Sequence, residues 1–402
     1  MKFLDLSIQQ NDCRAELDRR FASVLAHGQY IMGPEVAEME SVLADYVGTA
    51  HCVSVSSGTE ALLIALMALD IGRGDEVVTS PFTFAATAEV IALLGATPVF
   101  VDVDPLTANL DAALLEASIT EHTKAIIPVS LFGQTCDMDA INAIAARYGQ
   151  IPVIEDGAQS FGASFRGVKS SGLSTIGTTS FFPSKPLGCY GDGGALFTND
   201  PTIAQAAREI RVHGQSGRYH HTRIGVGGRM DTLQCAVILA KWPRFGVEVE
   251  RREELGRRYT RLIHQAHPNC QILTRQEAVA GFQGVRTIAE IAGGSHVYGQ
   301  YTILVADRDA LAEHMKSCDI PTAIHYPQPL NAQPAYAAFG DPADTPWASW
   351  LSRHVLSLPM GPDLTFPEQN QVVAAIAEWL RRNDGATSEP ALAGSVAANT
   401  VI

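Results

Sequence analysis

No apolar run in this 402-residue chain approaches the ~18 residues that a membrane-spanning helix needs, so no spanning segment is expected. The opening Met1-Lys2-Phe3-Leu4-Asp5 lacks the basic and apolar blocks of a secretory leader, and the expected location is cytoplasmic. Cysteine is sparse. Seven residues (Cys13, Cys52, Cys136, Cys189, Cys235, Cys270 and Cys318) stand singly with no C-x-x-C pair, which excludes a disulfide framework and a zinc knuckle. Positive charge is also short, with 29 Lys and Arg against 43 Asp and Glu. The formal net charge of -14 argues against a nucleic-acid partner, and an anionic ligand would need a local basic site to overcome it.

Several phosphate and metal motifs are missing too. No G-x-G-x-x-G follows the first strand. The P-loop-like Gly162 to Gly167 has Val168 where a lysine is required, and Lys169-Ser170 falls one position late. His220-His221 lacks the i, i+4 spacing of H-E-x-x-H, so no metal is expected. There is no internal repeat.

What remains is a chain long enough for two domains, with 46% hydrophobic residues. A helical pattern runs from Cys13 to His27, and Gly33-Pro34 opens another from Glu35 to Val47, with Pro at its first position. Strands are then expected at His51 to Val55, Glu76 to Thr79, Thr97 to Val101, Thr123 to Val129 and Ile151 to Glu155. Helices from Ser57 to Leu69 and Ala85 to Leu94 alternate with them. Unbroken apolar strands between helices imply an α/β fold with a parallel sheet covered on both faces. Past Phe245 the texture changes to a charged helix (Glu248 to Gln265), a strand from His296 to Val305, and helices from Arg308 to Ser317 and Pro367 to Asn383. This predicts a large domain over 1–245 that includes the N-terminal segment, a smaller α+β domain over 246–384, and a disordered tail over 385–402.

The chemistry concentrates in Ser180 to Ala195, where Lys185 stands in an aromatic and apolar run that then turns through Gly and Pro. A free lysine titrates at about 10.4, so an imine-forming lysine needs a desolvated site where the neutral amine becomes accessible. A lysine at a loop tip is the alternative. Upstream, the buried strand Ile151 to Glu155 runs into Asp156, followed by Gly157-Ala158-Gln159-Ser160. Ligands of open α/β sheets sit beyond the carboxyl ends of strands. A carboxylate there can hold a proton on a pyridine nitrogen, with Gln159 near the ring's phenolic oxygen. A structural acid at a strand end is the plain alternative.

Ser57-Gly58-Thr59-Glu60 follows a strand and begins a helix, so its N–H groups and the positive end of the dipole suit a phosphate. Capping alone would explain Ser57 or Thr59 equally well. Ser180 can complete a phosphate cup, and Phe84 either stacks on a ring or belongs to the core. A Schiff-base lysine, an acid for a ring nitrogen and a strand-to-helix phosphate site are together the demands of pyridoxal 5'-phosphate (PLP). Local basic charge lies between Arg208 and Arg229: Arg208, Arg211, His213, Arg218, His220, His221, Arg223 and Arg229 against the single acid Glu209. It suits a pyrophosphate or carboxylate, or else a solvated loop or subunit contact.

From Phe3 to about Leu380 the chain resembles the DegT/DnrJ/EryC1/StrS family of sugar-nucleotide aminotransferases. The resemblance rests on Gly28 to Val36, Ser57 to Leu62, Glu155 to Ser160, Ser180 to Gly194 and His325-Tyr326-Pro327-Gln328-Pro329-Leu330. It implies fold type I of the PLP-dependent transferases (aspartate aminotransferase-like), with a mostly parallel seven-stranded sheet. It further implies PLP bound to Lys185 and cycling through pyridoxamine 5'-phosphate, Asp156 at the pyridine nitrogen and Gln159 at the phenolic oxygen. Gly58, Thr59 and Ser180 would hold the phosphate, and Phe84 would stack on the ring.

Within the family, Phe181 to Tyr190, Arg218 to His221 and His325 to Pro327 look like the subgroup that aminates UDP-2-acetamido-2-deoxy-3-oxo-glucuronate with L-glutamate, for surface polysaccharide. That implies Arg229, His325 and Tyr326 near a UDP-linked keto-sugar, in a homodimer whose sites are shared across the interface. Gly227 departs from the pattern, standing where relatives usually carry an Asn that crosses the dimer to the phosphate. The rival readings are amination at another carbon or on a dTDP or GDP sugar, and a PLP-binding regulatory protein without catalysis.

Overall fold

The computed structural model describes residues 1–383, so the tail expected over 385–402 lies outside the described residues. Helix α1, Pro34–Val47, begins at Pro34 and ends on Gly48 in the left-handed conformation. Strand β1, His51–Val55, leads through the N-cap Ser57 into α2, Gly58–Ala68. Then follow β2 (Glu76–Thr79), α3 (Ala86–Leu93), β3 (Thr97–Phe100), β4 (Thr123–Ile127), β5 (Ile154–Asp156), β6 (Ile176–Ser180) and β7 (Gly194–Thr198). Side chains of β1, β6 and β7 are buried almost throughout, the pattern of strands covered on both faces.

These strands form two ladders, in the orders β1-β7-β6-β5 and β3-β2-β4. Strand β7 runs antiparallel to both its neighbours, while the other ladder pairs are parallel. Between β4 and β5 only isolated parallel bridges remain, Ile126 with Val153 and Val129 with Asp156. Two prolines explain the break and shorten both expected strands. Pro152 and Pro128 offer carbonyls to Ile126 N (3.0 Å) and Asp156 N (2.9 Å), but neither has an N–H to return.

The charged helix expected to start at Glu248 belongs to a 35-residue helix, α4, Thr232–Ala266, which carries Pro243 inside it. The boundary expected at 245 therefore falls within one helix. Cys235 to Phe245 pack on the core that covers β7, whereas Leu255, Tyr259 and Ile263 pack on a second core. That second core covers a four-stranded sheet of β8 (Cys270–Ile272), β9 (Val285–Thr287), β10 (Tyr301–Val305) and β11 (Val355–Leu358), in that order. Helices α5, Arg308–Ser317, and α6, Phe366–Arg382, close it. Met1 packs against this core and Phe3 O accepts from Met360 N, so the first residues, expected with the large domain, lie on the smaller one.

The strand expected from His296 starts only at Tyr301. Residues 297–300 turn back instead, with Val297 N donating to Gly133 O (2.9 Å) and Gln300 N to Phe132 O (3.2 Å). The stretch from Gly162 to Gly167 enters a small hairpin, Ser164–Phe165 with Val168–Lys169, turning on Arg166 and Gly167, both at positive φ. All seven cysteines are free. Among the described residues no helix is long and apolar enough to cross a membrane.

Candidate active site

The site assembles beyond the carboxyl ends of β5 and β6, where the sheet delivers Asp156 and Ser180. Asp156 is buried, its Oδ2 accepting from Thr87 Oγ1 at 2.9 Å and its Oδ1 from Ala158 N at 3.2 Å. Burial pushes its pKa up, and the two hydrogen bonds and the charge of Lys185 pull against that rise. The neighbouring Glu155 points elsewhere: Ser130 Oγ (2.8 Å), Ser170 Oγ (2.6 Å) and Ser171 N (2.7 Å) hold it in the core. Of the two acids, only Asp156 faces the site.

Gln159 is buried between two partners. Its Oε1 accepts from Phe132 N at 2.7 Å, and its Nε2 donates to Tyr326 Oη at 3.1 Å. The backbone donor fixes the amide's orientation, so Nε2 keeps one further hydrogen to give. Tyr326 also packs edge-on against Phe82 and lies 6.4 Å from Phe84, ring centre to ring centre. Phe84 is 58% exposed, so its face is available to a ligand ring rather than used by the core. Next to Tyr326, His325 Nδ1 is 2.9 Å from Ser357 Oγ, and burial with the charge of Lys185 lowers its pKa. Leu330 N donates to Pro81 O at 2.8 Å and ties this segment to the one carrying Phe84.

Lys185 sits in a loop closed by Phe181 N to Gly193 O, Cys189 N to Phe181 O (each 2.7 Å) and Lys185 N to Phe182 O (2.9 Å). The side chain keeps a little solvent access, yet protein crowds the ammonium enough to pull its pKa below the ordinary 10.5, with Asp156 opposing. Helix α4 anchors the loop through side chains that no motif announced. Lys241, buried and lowered to about 8 by desolvation, donates to Gly188 O at 2.6 Å, and Gln234 Oε1 accepts from Tyr190 N at 2.8 Å. A lone lysine inside the apolar run Ala236 to Trp242 was the available sign. Thr87, in the first turn of α3 and four residues after Thr83, was likewise legible only as spacing.

The phosphate side is a cradle of close backbone contacts. A Cβ on Gly58 would lie 2.7 Å from Ser180 Cβ, and one on Gly194 would lie 2.5 Å from the Ser57 carbonyl carbon. The first turn of α2, with Thr59 half-buried on it, is thereby pressed against the end of β6. Ser57 Oγ accepts from Glu60 N at 3.1 Å, so the capping role is real, and the remaining N–H groups of the turn stay directed outward. These donors, the desolvated lysine amine, the buried acid and the open aromatic face together fit a phosphate-bearing pyridine aldehyde. Gly58→Ala is expected to force this contact apart at ~1–3 kcal/mol and to weaken cofactor binding at least about tenfold, read by cofactor titration and thermal melts.

The basic stretch is only partly available. Arg211 is buried, with Nη1 on Glu40 Oε1 (2.5 Å) and Ser54 O (2.7 Å), and Arg223 pairs with Glu209 at 2.8 Å. Arg218, His220 and His221 lie on an exposed hairpin. Arg229 is brought beside the cradle by Ser56 N donating to Gly228 O at 2.9 Å, and its Nε is buried without a partner. Among the described residues it forms no ion pair.

An α/β sheet that gathers an amine, a buried acid and an anion cradle at its strand ends defines a carbonyl-condensing, cofactor-dependent enzyme. The pattern of the DegT/DnrJ/EryC1/StrS aminotransferase family matches residues 11–377, and the chain belongs to that family. It is 50% identical, over 94% of its length and 99% of the relative's, to a UDP-2-acetamido-2-deoxy-3-oxo-D-glucuronate aminotransferase of Pseudomonas aeruginosa. A solved DegT/DnrJ/EryC1/StrS aminotransferase of Brucella abortus superposes with a TM-score of 0.87 at 39% identity, covering 94% of this chain and 99% of that one. A Bacillus subtilis protein solved with the cofactor PMP superposes at 0.83 with 26% identity, covering 95% and 85%.

Proposed function

We propose that this chain is a PLP-dependent aminotransferase moving the amino group of L-glutamate to the C3 ketone of UDP-2-acetamido-2-deoxy-3-oxo-D-glucuronate. The products are UDP-2-acetamido-3-amino-2,3-dideoxy-D-glucuronate and 2-oxoglutarate, destined for bacterial surface polysaccharide such as O-antigen. The reading includes a cytoplasmic homodimer with sites at its interface, and a division into a cofactor-binding domain and a smaller one that meet within α4, near residue 245, with the first residues resting on the smaller one. The observation that carries the reaction class is that Lys185 and Asp156 meet beyond the strand ends closely enough to sense each other's charge, the amine's pKa lowered and the acid's raised by burial, with Gln159 hydrogen-bonded to Tyr326 beside them. The sugar rests on likeness to the Pseudomonas aeruginosa enzyme.

PLP supplies an aldehyde that takes up amino groups and a ring that accepts the electron pair released beside it. Lys185 Nζ would hold that aldehyde and, when free, would serve as the base that takes the proton from the amino-acid Cα. Asp156 would hold the ring-nitrogen proton, and Gln159 Nε2 would donate its free hydrogen to the phenolic oxygen. Gly58, Thr59 and Ser180 would hold the phosphate at the helix terminus, and Phe84 would cover the ring face. Arg229, His325 and Tyr326 receive the sugar nucleotide, whose charge and that of glutamate suit the unpartnered guanidinium edge. The same residues run the second half in reverse, with the keto-sugar as acceptor.

Mass spectrometry after incubation with glutamate and a panel of UDP, dTDP and GDP keto-sugars tests the reading. Amination of the UDP 3-keto uronate is expected. Amination confined to 4-keto or non-UDP substrates would transfer the chain to another branch of the family, and no transfer from glutamate at all would favour a regulatory role. Gly227 lends itself to a separate measurement. A Cβ there would come within 3.2 Å of the His213 ring, a contact a small ring shift relieves. Gly227→Asn is expected to tighten PLP binding by about 2- to 10-fold, one added hydrogen bond's share. Unchanged affinity would mark the position as neutral.

A further inference from the structure

Thr87 Oγ1 lies 2.9 Å from Asp156 Oδ2 and 3.2 Å from Thr83 Oγ1, and all three residues are buried. Counting protons fixes the direction of this chain. A hydroxyl has one proton to give, and an ionised carboxylate only accepts. Thr87 therefore donates to Asp156, and its oxygen is left to accept from Thr83. An oxygen that accepts is the better donor, so the outer threonine strengthens the inner bond. Were Asp156 protonated on Oδ2, its own O–H would take Thr87 as acceptor and the chain would have to reverse. Thr87 lies in the first turn of α3 (Ala86–Leu93) and Thr83 in the bend just before that helix, so the chain entering α3 brings both hydroxyls to the end of β5 (Ile154–Asp156).

We infer that Thr87, aligned by Thr83, is a positioning residue for amino transfer: its hydroxyl keeps the Asp156 carboxylate ionised and turned to accept the proton of the cofactor's ring nitrogen. The inference rests on the reading of Asp156 as partner of that nitrogen. Opposing influences surround the carboxylate. Burial favours its neutral form, and Thr87 is the first of the groups that resist this, ahead of Ala158 N and Lys185. The titratable groups that sense it are Glu155 beside it on the strand, Tyr326, Cys136 and Lys185. Of these, only Lys185 favours the anion, and its charge is itself suppressed by desolvation. The Thr87 hydroxyl and the Ala158 N–H are thus the fixed donors that favour the charged form of Asp156, and the hydroxyl is the one a side-chain substitution removes.

The test is nitrogen-15 resonance of protein loaded with ring-15N PLP, whose shift separates a protonated from an unprotonated pyridine. Thr87→Val keeps the shape and removes the donor, and Thr87→Ser keeps the donor. The resonance is expected to move toward the unprotonated position in Thr87→Val, to move less in Thr83→Val, and to return in Thr87→Ser. Turnover with glutamate should fall about tenfold in Thr87→Val with KM nearly unchanged, the size of one charge-assisted hydrogen bond. Resonances at the wild-type position in both valine variants would overturn the inference. Asp156→Asn, measured alongside, tells the two failures apart. If it shifts the resonance and the threonine variants do not, the relay is wrong; if it also leaves the signal in place, the assignment of Asp156 is wrong. Should Thr87→Val not fold, Thr83→Val, one link further from the carboxylate, decides alone.

Discussion

Lys185→Ala is expected to leave a folded protein that no longer captures its cofactor covalently and transfers amino groups at least ~10⁴-fold more slowly, the upper range for loss of a positioned acid–base group. Folding survives because the side chain is a burden on it. Desolvation disfavours the ammonium, so below the lowered pKa the folded state holds a proton at a cost that alanine removes. The loop does not depend on the amine either. Its closure comes from Phe181, Gly193 and Cys189 backbone bonds, and from Lys241 and Gln234 on the long helix. Borohydride reduction and peptide mapping should place the cofactor on Lys185 in the wild type and nowhere in the variant; an adduct on another residue sinks the assignment.

The same lysine makes a pH prediction. Only the neutral amine attacks an aldehyde, so the rate of PLP capture by cofactor-free protein should rise with pH and level off below 10.5. A plateau reached only at the ordinary lysine value would mean that the site does not desolvate Nζ.

Why Lys185, Asp156 and the Ser57 to Glu60 turn were legible while their supports were not has a physical cause. Each of the three is announced by its neighbours in sequence: an apolar strand ending in acids, a strand-to-helix turn with small polar residues, a lysine among aromatics. Their supports come from afar. Thr87 meets Asp156 across 69 positions, Tyr326 meets Gln159 across 167, and Lys241 meets Gly188 across 53. Local pattern carries no information about such pairs. Strand ends were misjudged for a related reason. Pro128 and Pro152 sit in apolar runs that read as continuous strand, and only the ladder reveals that their missing donors break the pairing of β4 (Thr123–Ile127) with β5 (Ile154–Asp156). The boundary at Phe245 followed a change in charge texture, but a helix can serve two cores in succession when its apolar face continues through the change.

Asp156→Asn isolates charge from shape. The amide can take the carboxylate's place without a clash: its oxygen accepts from Ala158 N, and its NH2 donates to Thr87, which in turn donates back to Thr83. The hydroxyl chain reverses and every group stays bonded. Stability of cofactor-free protein should be unchanged or higher. The Asp156 pKa is raised in the folded state, so stability falls as pH climbs from 3.8 through that raised value, and a neutral amide escapes the loss. Catalysis should not escape. A pyridine nitrogen facing an amide keeps no proton, the ring becomes a poor electron acceptor, and turnover is expected to drop at least ~10- to 100-fold, the worth of a charge-assisted bond of ~1.5–3 kcal/mol. Pre-steady-state rates of the glutamate half-reaction, with a melting curve from the same preparation, check both halves. A near-wild-type rate would remove Asp156 from the ring nitrogen. A slow enzyme that also melts early would mean the carboxylate serves the fold first.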